Sequence, residues 1–247
     1  MEIISSEIQA REVLRNYNDI VLVPTMGNLH DGHISLVNKA KELGKTIVSS
    51  IFVNPLQFGF NEDFDSYPRT LENDLEQLER AGSHFVFHPS EDILEDIKKR
   101  KAPSLSRKMC GKTRPEHFDG VVTIVGKLFE VVRPQFAVFG LKDYQQFLII
   151  KNLITLSDFE IEIIGSPIVR EQDGLAMSSR NNLLTHDNRL LAPEIYKILN
   201  WIKDNISEKS NENLIKESTD LLQTKGLTPE YLKICDPDTL EDLNHFS

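Results

Sequence analysis

Short apolar runs rich in β-branched and aromatic residues, at residues 20–23, 46–53, 84–87, 136–139 and 161–164, alternate with segments of helical periodicity. Pro, Gly or Asn bounds most of these runs, which therefore read as buried strands. Between them, apolar residues recur at a spacing of three to four: Leu36, Val37, Ala40 and Leu43; Leu71, Leu75, Leu78 and Ala81; Val121, Ile124, Val125, Leu128, Phe129 and Val132. Tyr144, Phe147, Leu148 and Lys151 open a further such segment. Strands alternating with helices of this length predict right-handed βαβ units and a parallel sheet covered on both faces. The chain is thus expected to fold as α/β, with a doubly wound sheet whose ligands bind outside the carboxyl ends of the strands.

The pattern changes after Ile164. A turn marked by Gly165 and Pro167 leads into a polar loop over residues 170–182, and the helices beyond are rich in Lys, Glu and Asn. A hinge is expected there. It separates a first domain, residues 1–169, from a smaller α+β lid, residues 170–247. In the lid, residues 195–206 and 214–222 read as helices and residues 231–235 as a strand. The charge run at residues 91–101 reads as a solvated helix face.

A chain of 247 residues, 40% of them hydrophobic, can build one sizeable core and a smaller appendage. Its formal net charge of −10 repels a polyphosphate backbone, which argues against nucleic acid as a partner but leaves room for a local pocket holding one nucleotide. Cys110 and Cys235 are too few for a disulfide framework and lack metal-ligand spacing, so a reducing, cytoplasmic setting is expected. No apolar stretch is long enough to suggest export or a membrane partner.

Four segments carry chemistry. The first, Pro24-Thr25-Met26-Gly27-Asn28-Leu29-His30-Asp31-Gly32-His33, joins the first strand to a helix. A helix start offers unpaired N–H groups and positive partial charge, so it can hold an anion. His30 and His33, three residues apart, would share a face beside it and donate to phosphate oxygens. A chance histidine pair at a capping turn has the same spacing, and Gly27 and Gly32 would serve a tight turn equally well. Zinc is disfavoured, since no HExxH pattern or nearby third ligand is present.

The second segment, Asn54-Pro55-Leu56-Gln57, ends the next strand. There Gln57 offers a neutral donor and acceptor, although Asn-Pro alone is an ordinary turn. The third, Gly140-Leu141-Lys142-Asp143 with Gln146 one turn on, places a phosphate ligand and a ribose acceptor on one side; a surface Lys-Asp pair would look alike. The fourth, Met177-Ser178-Ser179-Arg180, puts two hydroxyls and a guanidinium in the polar loop, as a polyphosphate would require, though serine-rich loops are common. Three segments fall at strand carboxyl ends and the fourth at the expected hinge. A nucleotide fits that placement.

These strings, together with Tyr67-Pro68-Arg69-Thr70, Arg114-Pro115-Glu116-His117-Phe118-Asp119-Gly120-Val121 and Asp173-Gly174-Leu175-Ala176, resemble in order and spacing the pantoate–β-alanine ligase family, also called pantothenate synthetases. The resemblance implies a Rossmann-like nucleotidyltransferase that is a homodimer, uses Mg²⁺ with ATP, and makes pantothenate from pantoate and β-alanine through an acyl adenylate. It implies that Met26, Gly27, Asn28, Leu29, His30, Asp31, Gly32 and His33 line the ATP site, with His30 and His33 on the phosphates and His33 a proton donor. Gln57 and Gln146 would hold pantoate, with Gln57 also near β-alanine. Gly140, Leu141, Lys142 and Asp143 would contact ATP, with Lys142 at phosphate and Asp143 at ribose. Val169 would meet the adenine region, and Met177, Ser178, Ser179 and Arg180 the phosphates. Asp74 and Gln77 would lie near the metal or the substrate.

Two departures stand out. Leu141 replaces a glutamate common in the family, and the family carries a further strand and helix beyond the position of Ser247, so the lid is expected to be incomplete. Two other functions fit the same residues: an adenylyltransferase that leaves AMP on a phosphorylated acceptor, and a noncatalytic ATP sensor. An isolated tRNA synthetase domain fits poorly with the negative charge.

Overall fold

The computed structural model describes residues 1–44 and 46–243. Contacts divide the chain into two units, Met1–Ile168 and Val169–Ser247.

In the first unit six strands, β1 (Glu2–Ile4), β2 (Ile20–Thr25), β3 (Thr46–Ile51), β4 (Phe85–Phe87), β5 (Phe136–Gly140) and β6 (Glu162–Ser166), form one sheet in the order β1-β4-β3-β2-β5-β6. Every pairing is parallel. The intervening helices are α1 (Glu7–Leu14), α2 (Asp31–Glu42), α3 (Leu71–Ala81), the one-turn α4 (Cys110–Thr113), α5 (His117–Val132) and α6 (Tyr144–Thr155). Period-two alternation sorts the strand side chains. Val21, Val23, Ile47, Ile51, Val86 and Val138 meet Leu36, Val37 and Ala40 of α2 and Leu78 and Ala81 of α3 in one core cluster. Helix α5 is buried nearly all round, as its apolar run requires, and packs against α1 and α6.

The chain reverses direction across the sheet at β2, which has β3 on one side and β5 on the other. Pairing of β2 with β5 ends at Leu22↔Ala137, whereas pairing with β3 continues to Thr25↔Ile51. Pro24, which has no N–H to give, lies beyond that last β5 contact. The strands part at their carboxyl ends, and that is the crevice of a doubly wound sheet.

Helices α7 (His186–Leu191), α8 (Pro193–Asn205) and α9 (Asn211–Thr224) follow in the second unit, with a small core of Ile198, Ile202, Leu214 and Leu222. Thr185 and Ser210 cap α7 and α9 through their hydroxyls. In the loop before them Arg170 bridges Ala176, and the Arg170 guanidinium lies 3.6 Å from the centre of the Tyr196 ring. Gly174 (φ 93°) is required there, because a Cβ would stand 2.6 Å from Tyr196.

Two expectations are corrected. Residues 231–235 form no strand: among them Cys235 alone bridges, to Asp242, and the regular elements of the described second unit are helices. The charge run at 91–101 is not a solvated helix but a short 3-10 turn, Glu91–Leu94, followed by irregular chain. There Arg100 reaches inward to Glu130 (2.6 Å) and to the Phe159 ring. One strand, β1, carries no signal in the sequence, because its segment has too few apolar residues to mark it.

Candidate active site

The loop after β2 is built around two imidazoles. His30 is the N-cap of α2, and its Nδ1 accepts from the Gly32 N–H (3.1 Å); His33 Nδ1 accepts in turn from the His30 N–H (3.3 Å). This is a capping box made by histidines, with ring centres 4.1 Å apart. A ring that accepts at Nδ1 carries its proton on Nε2, so these hydrogen bonds fix the tautomer of both rings. Burial, then the neighbouring His30, then the positive charge of Lys142 hold the His33 pKa down to about 3. His33 is therefore neutral at pH 7, an Nε2–H donor, and close enough to Lys142 to feel its charge.

Sequence alone predicts loop amides open to an anion, but the structure occupies most of them. The Gly27 N–H goes to Thr25 Oγ1 (3.2 Å), and those of Asn28 and Leu29 go to the two carboxylate oxygens of Asp74 (2.8 Å each). Gly27 (φ 80°) and Asn28 (φ 49°) adopt left-handed backbone, while Gly32 lies in the first turn of α2. Asp74 and Gln77, both on α3, grip this loop, Gln77 through a 3.4 Å bond to Leu29 O. Asp31 opens α2 and is exposed.

The loop after β3 presents Gln57 from a 3-10 turn, Pro55–Gln57. Asn54, 1% exposed, orients it: its Nδ2 donates to Gln57 Oε1 (3.1 Å) and Gly120 O (3.2 Å), and its Oδ1 accepts from the Leu56 N–H. Gln57 Nε2 then points to Met26 Sδ (3.2 Å), joining the two loops. From the other side the His117 Nδ1 meets Gln57 O (2.8 Å), and Arg114 pairs bidentately with Glu62. That pairing holds the Glu62 carboxyl below its ordinary range, while burial lowers the His117 pKa. Asn54 and His117 thus hold Gln57, and Arg114 contacts His117 in turn. Their signal in the sequence was the buried-helix start at Gly120 and the Asn-to-Gln spacing across the turn.

After β5 the 3-10 turn Leu141–Asp143 exposes Lys142 and Asp143, and Gln146 is half-buried on α6. Asp143 lies near enough to His117 to act on its charge. Leu141 packs against the sheet, and a Cβ on Gly165 would stand 2.7 Å from it. A contact from Leu141 to a nucleotide would therefore come from its backbone. In the second unit the Met177 N–H donates to Val169 O (3.0 Å), Ser179 is buried, and the Arg180 N–H donates to Ser178 Oγ (3.3 Å).

A family model for pantoate-beta-alanine ligase matches residues 2–246. The chain belongs to this family. A pantothenate synthetase of Psychrobacter arcticus is 48% identical over 221 residues, covering 87% of this chain and 77% of that protein. One from Marinobacter nauticus is 45% identical over 252 residues, covering 98% and 89%. Among solved structures, pantothenate synthetase from Thermus thermophilus superposes with a TM-score of 0.94 at 38% identity, covering 100% of this chain and 91% of that one. Pantoate-beta-alanine ligase from Francisella tularensis, complexed with beta-gamma ATP and beta-alanine, gives 0.85 at 32% identity, covering 96% and 90%.

Proposed function

We propose that this chain condenses pantoate with β-alanine at the expense of ATP, releasing AMP and diphosphate through a pantoyl adenylate. The observation that carries the reading within the site is the pair of tautomer-fixed imidazoles that cap α2, with His33 held neutral and near Lys142, in a member of the ligase family.

In the first step a pantoate carboxylate oxygen attacks the α-phosphorus, the bond to the bridging oxygen breaks, and diphosphate leaves. Two anions must meet, so donors fixed before the reaction lower the barrier most. His30 and His33 give Nε2–H hydrogen bonds to phosphate oxygens, and Lys142 and Arg180 supply positive charge. An imidazole held neutral acts here as a hydrogen-bond donor. Gln57, locked by Asn54, offers its amide to pantoate, as does Gln146; Asp143 accepts from ribose. Val169 and the segment from Met177 to Ser179 are assigned to the nucleotide on family resemblance.

In the second step the neutral amine of β-alanine attacks the acyl carbonyl, the C–O bond to AMP breaks, and the amine loses a proton. Magnesium is proposed to arrive with ATP, neutralising phosphate charge. The triphosphate would supply much of its coordination, because no group of three or more His, Cys, Asp or Glu among the described residues is placed to hold a metal. A homodimer in the cytoplasm completes the proposal. The two cysteines, neither of them in a disulfide, support that compartment, and light scattering in solution checks the dimer.

Isotope exchange between diphosphate and ATP, measured without β-alanine, tests the reading. Exchange that requires pantoate establishes reversible adenylate formation. ATP binding with no exchange under any acid would sink it in favour of a sensor.

A further inference from the structure

The turn at residues 27–29 is held from below by one helix. With Gly27 and Asn28 both left-handed, the N–H groups of Asn28 and Leu29 converge on a single concavity, a geometry that commonly binds phosphate or another anion. Here the occupant is the chain's own Asp74, 1% exposed, with Oδ2 accepting from Asn28 N and Oδ1 from Leu29 N at 2.8 Å each. Gly27 makes room for it, since a Cβ there would stand 2.9 Å from Asp74 Oδ2. Thr70 Oγ1, one turn earlier, lies 3.1 Å from Asp74 Oδ1, and Gln77, one turn later, donates to Leu29 O. Residues 70, 74 and 77 share one face at helical spacing. That face grips the turn that sets the entry of His30.

We propose that Asp74 is a positioning residue of the adenylation step, an internal anion that fixes the turn so that His30 and His33 present their Nε2–H groups to the nucleotide. The inference rests on the ligase reading above and gives Asp74 a role other than metal ligand. Its carboxylate is already committed to three donors, two of them backbone. Phosphate recognition therefore passes from the loop amides to the side chains.

Asp74→Asn replaces one acceptor oxygen with a donor that faces a backbone N–H. Hydrogen exchange at the Asn28 and Leu29 amides of the ATP-free enzyme should accelerate about tenfold or more, and the KM for ATP in pantoate-dependent exchange should rise by about tenfold to a hundredfold. The magnesium concentration for half-maximal rate at saturating ATP should stay put, which a metal ligand would not allow. Thr70→Val removes only the outer donor and should give the same pattern, weaker, should Asp74→Asn fail to fold. A tenfold shift in magnesium requirement with both amides still protected would overturn the proposal, as would an unchanged KM for ATP. If the wild-type enzyme shows no exchange at all, the ligase reading fails. The two amides still report whether the carboxylate holds the turn.

Discussion

At the residue scale, each site histidine uses Nδ1 to finish the cap of α2, which leaves the ring proton on Nε2. On the proposed mechanism, removing His33 deletes both a cap acceptor and a donor to developing charge. His33→Ala and Lys142→Ala should each lower pantoate-dependent exchange by about a hundredfold to a thousandfold, the cost of one such donor, about 2.7–4 kcal/mol. Near-normal rates in purified variants would remove both residues from the mechanism. The depressed pKa of His33, about 3 against 6.5, also makes a stability statement. The unfolded chain takes up a proton below pH 6.5 that the folded chain refuses, so this residue's contribution is complete above pH 6.5 and drains away as the pH falls toward 3. Between pH 7 and 5 the loss should be about 1 to 2 kcal/mol by urea denaturation of the ATP-free protein. His33→Asn, whose amide oxygen can still cap the His30 N–H, should lose less over the same range.

At the scale of elements, the start of α5 decides where Gln57 sits. Gly120 lies so close to the 3-10 turn that a Cβ would stand 2.0 Å from Leu56 O, so Gly120→Ala must push the turn or the helix aside. Overpacking of this kind costs about 1–3 kcal/mol, and the displaced Gln57 should raise the KM for pantoate more than that for ATP. Equal effects on both would mean the turn is not a pantoate element. Long elements with clean periodicity were legible from residues alone: α2, α3, α5 and α6, the strands between them, and the loops at the strand ends. Elements whose stability comes from distant partners were not. Glu2-Ile3-Ile4 is too short and too charged to announce a strand, and forms β1 because β4 offers it an edge. The apolar residues at 231–234 alternate as a strand would, but Leu232 and Ile234 are drawn to the helical core of the second unit instead. Asp74 and Gln77 could be placed near the site only by family resemblance, because their hydrogen bonds to residues 28 and 29 cross the sequence distance that periodicity cannot see.

At the scale of the molecule, each unit has an apolar cluster of its own: the cluster under α2 and α3 is drawn from residues before 168, and the Ile198–Leu222 cluster from residues after it. Residues 1–168 alone should therefore unfold in one cooperative urea transition. Arg180→Ala in the whole chain tests the proposed assignment of that residue to the nucleotide: by calorimetry ATP should bind at least about tenfold more weakly, and unchanged affinity would withdraw the assignment. The order of strands carries one more consequence, for synthesis. Among the described residues β1 pairs only with β4, so this strand has no neighbour until the ribosome has passed Phe87. β2, β3 and β4 can associate in the order in which they are made, while the β1 segment waits unpaired and closes the sheet afterwards.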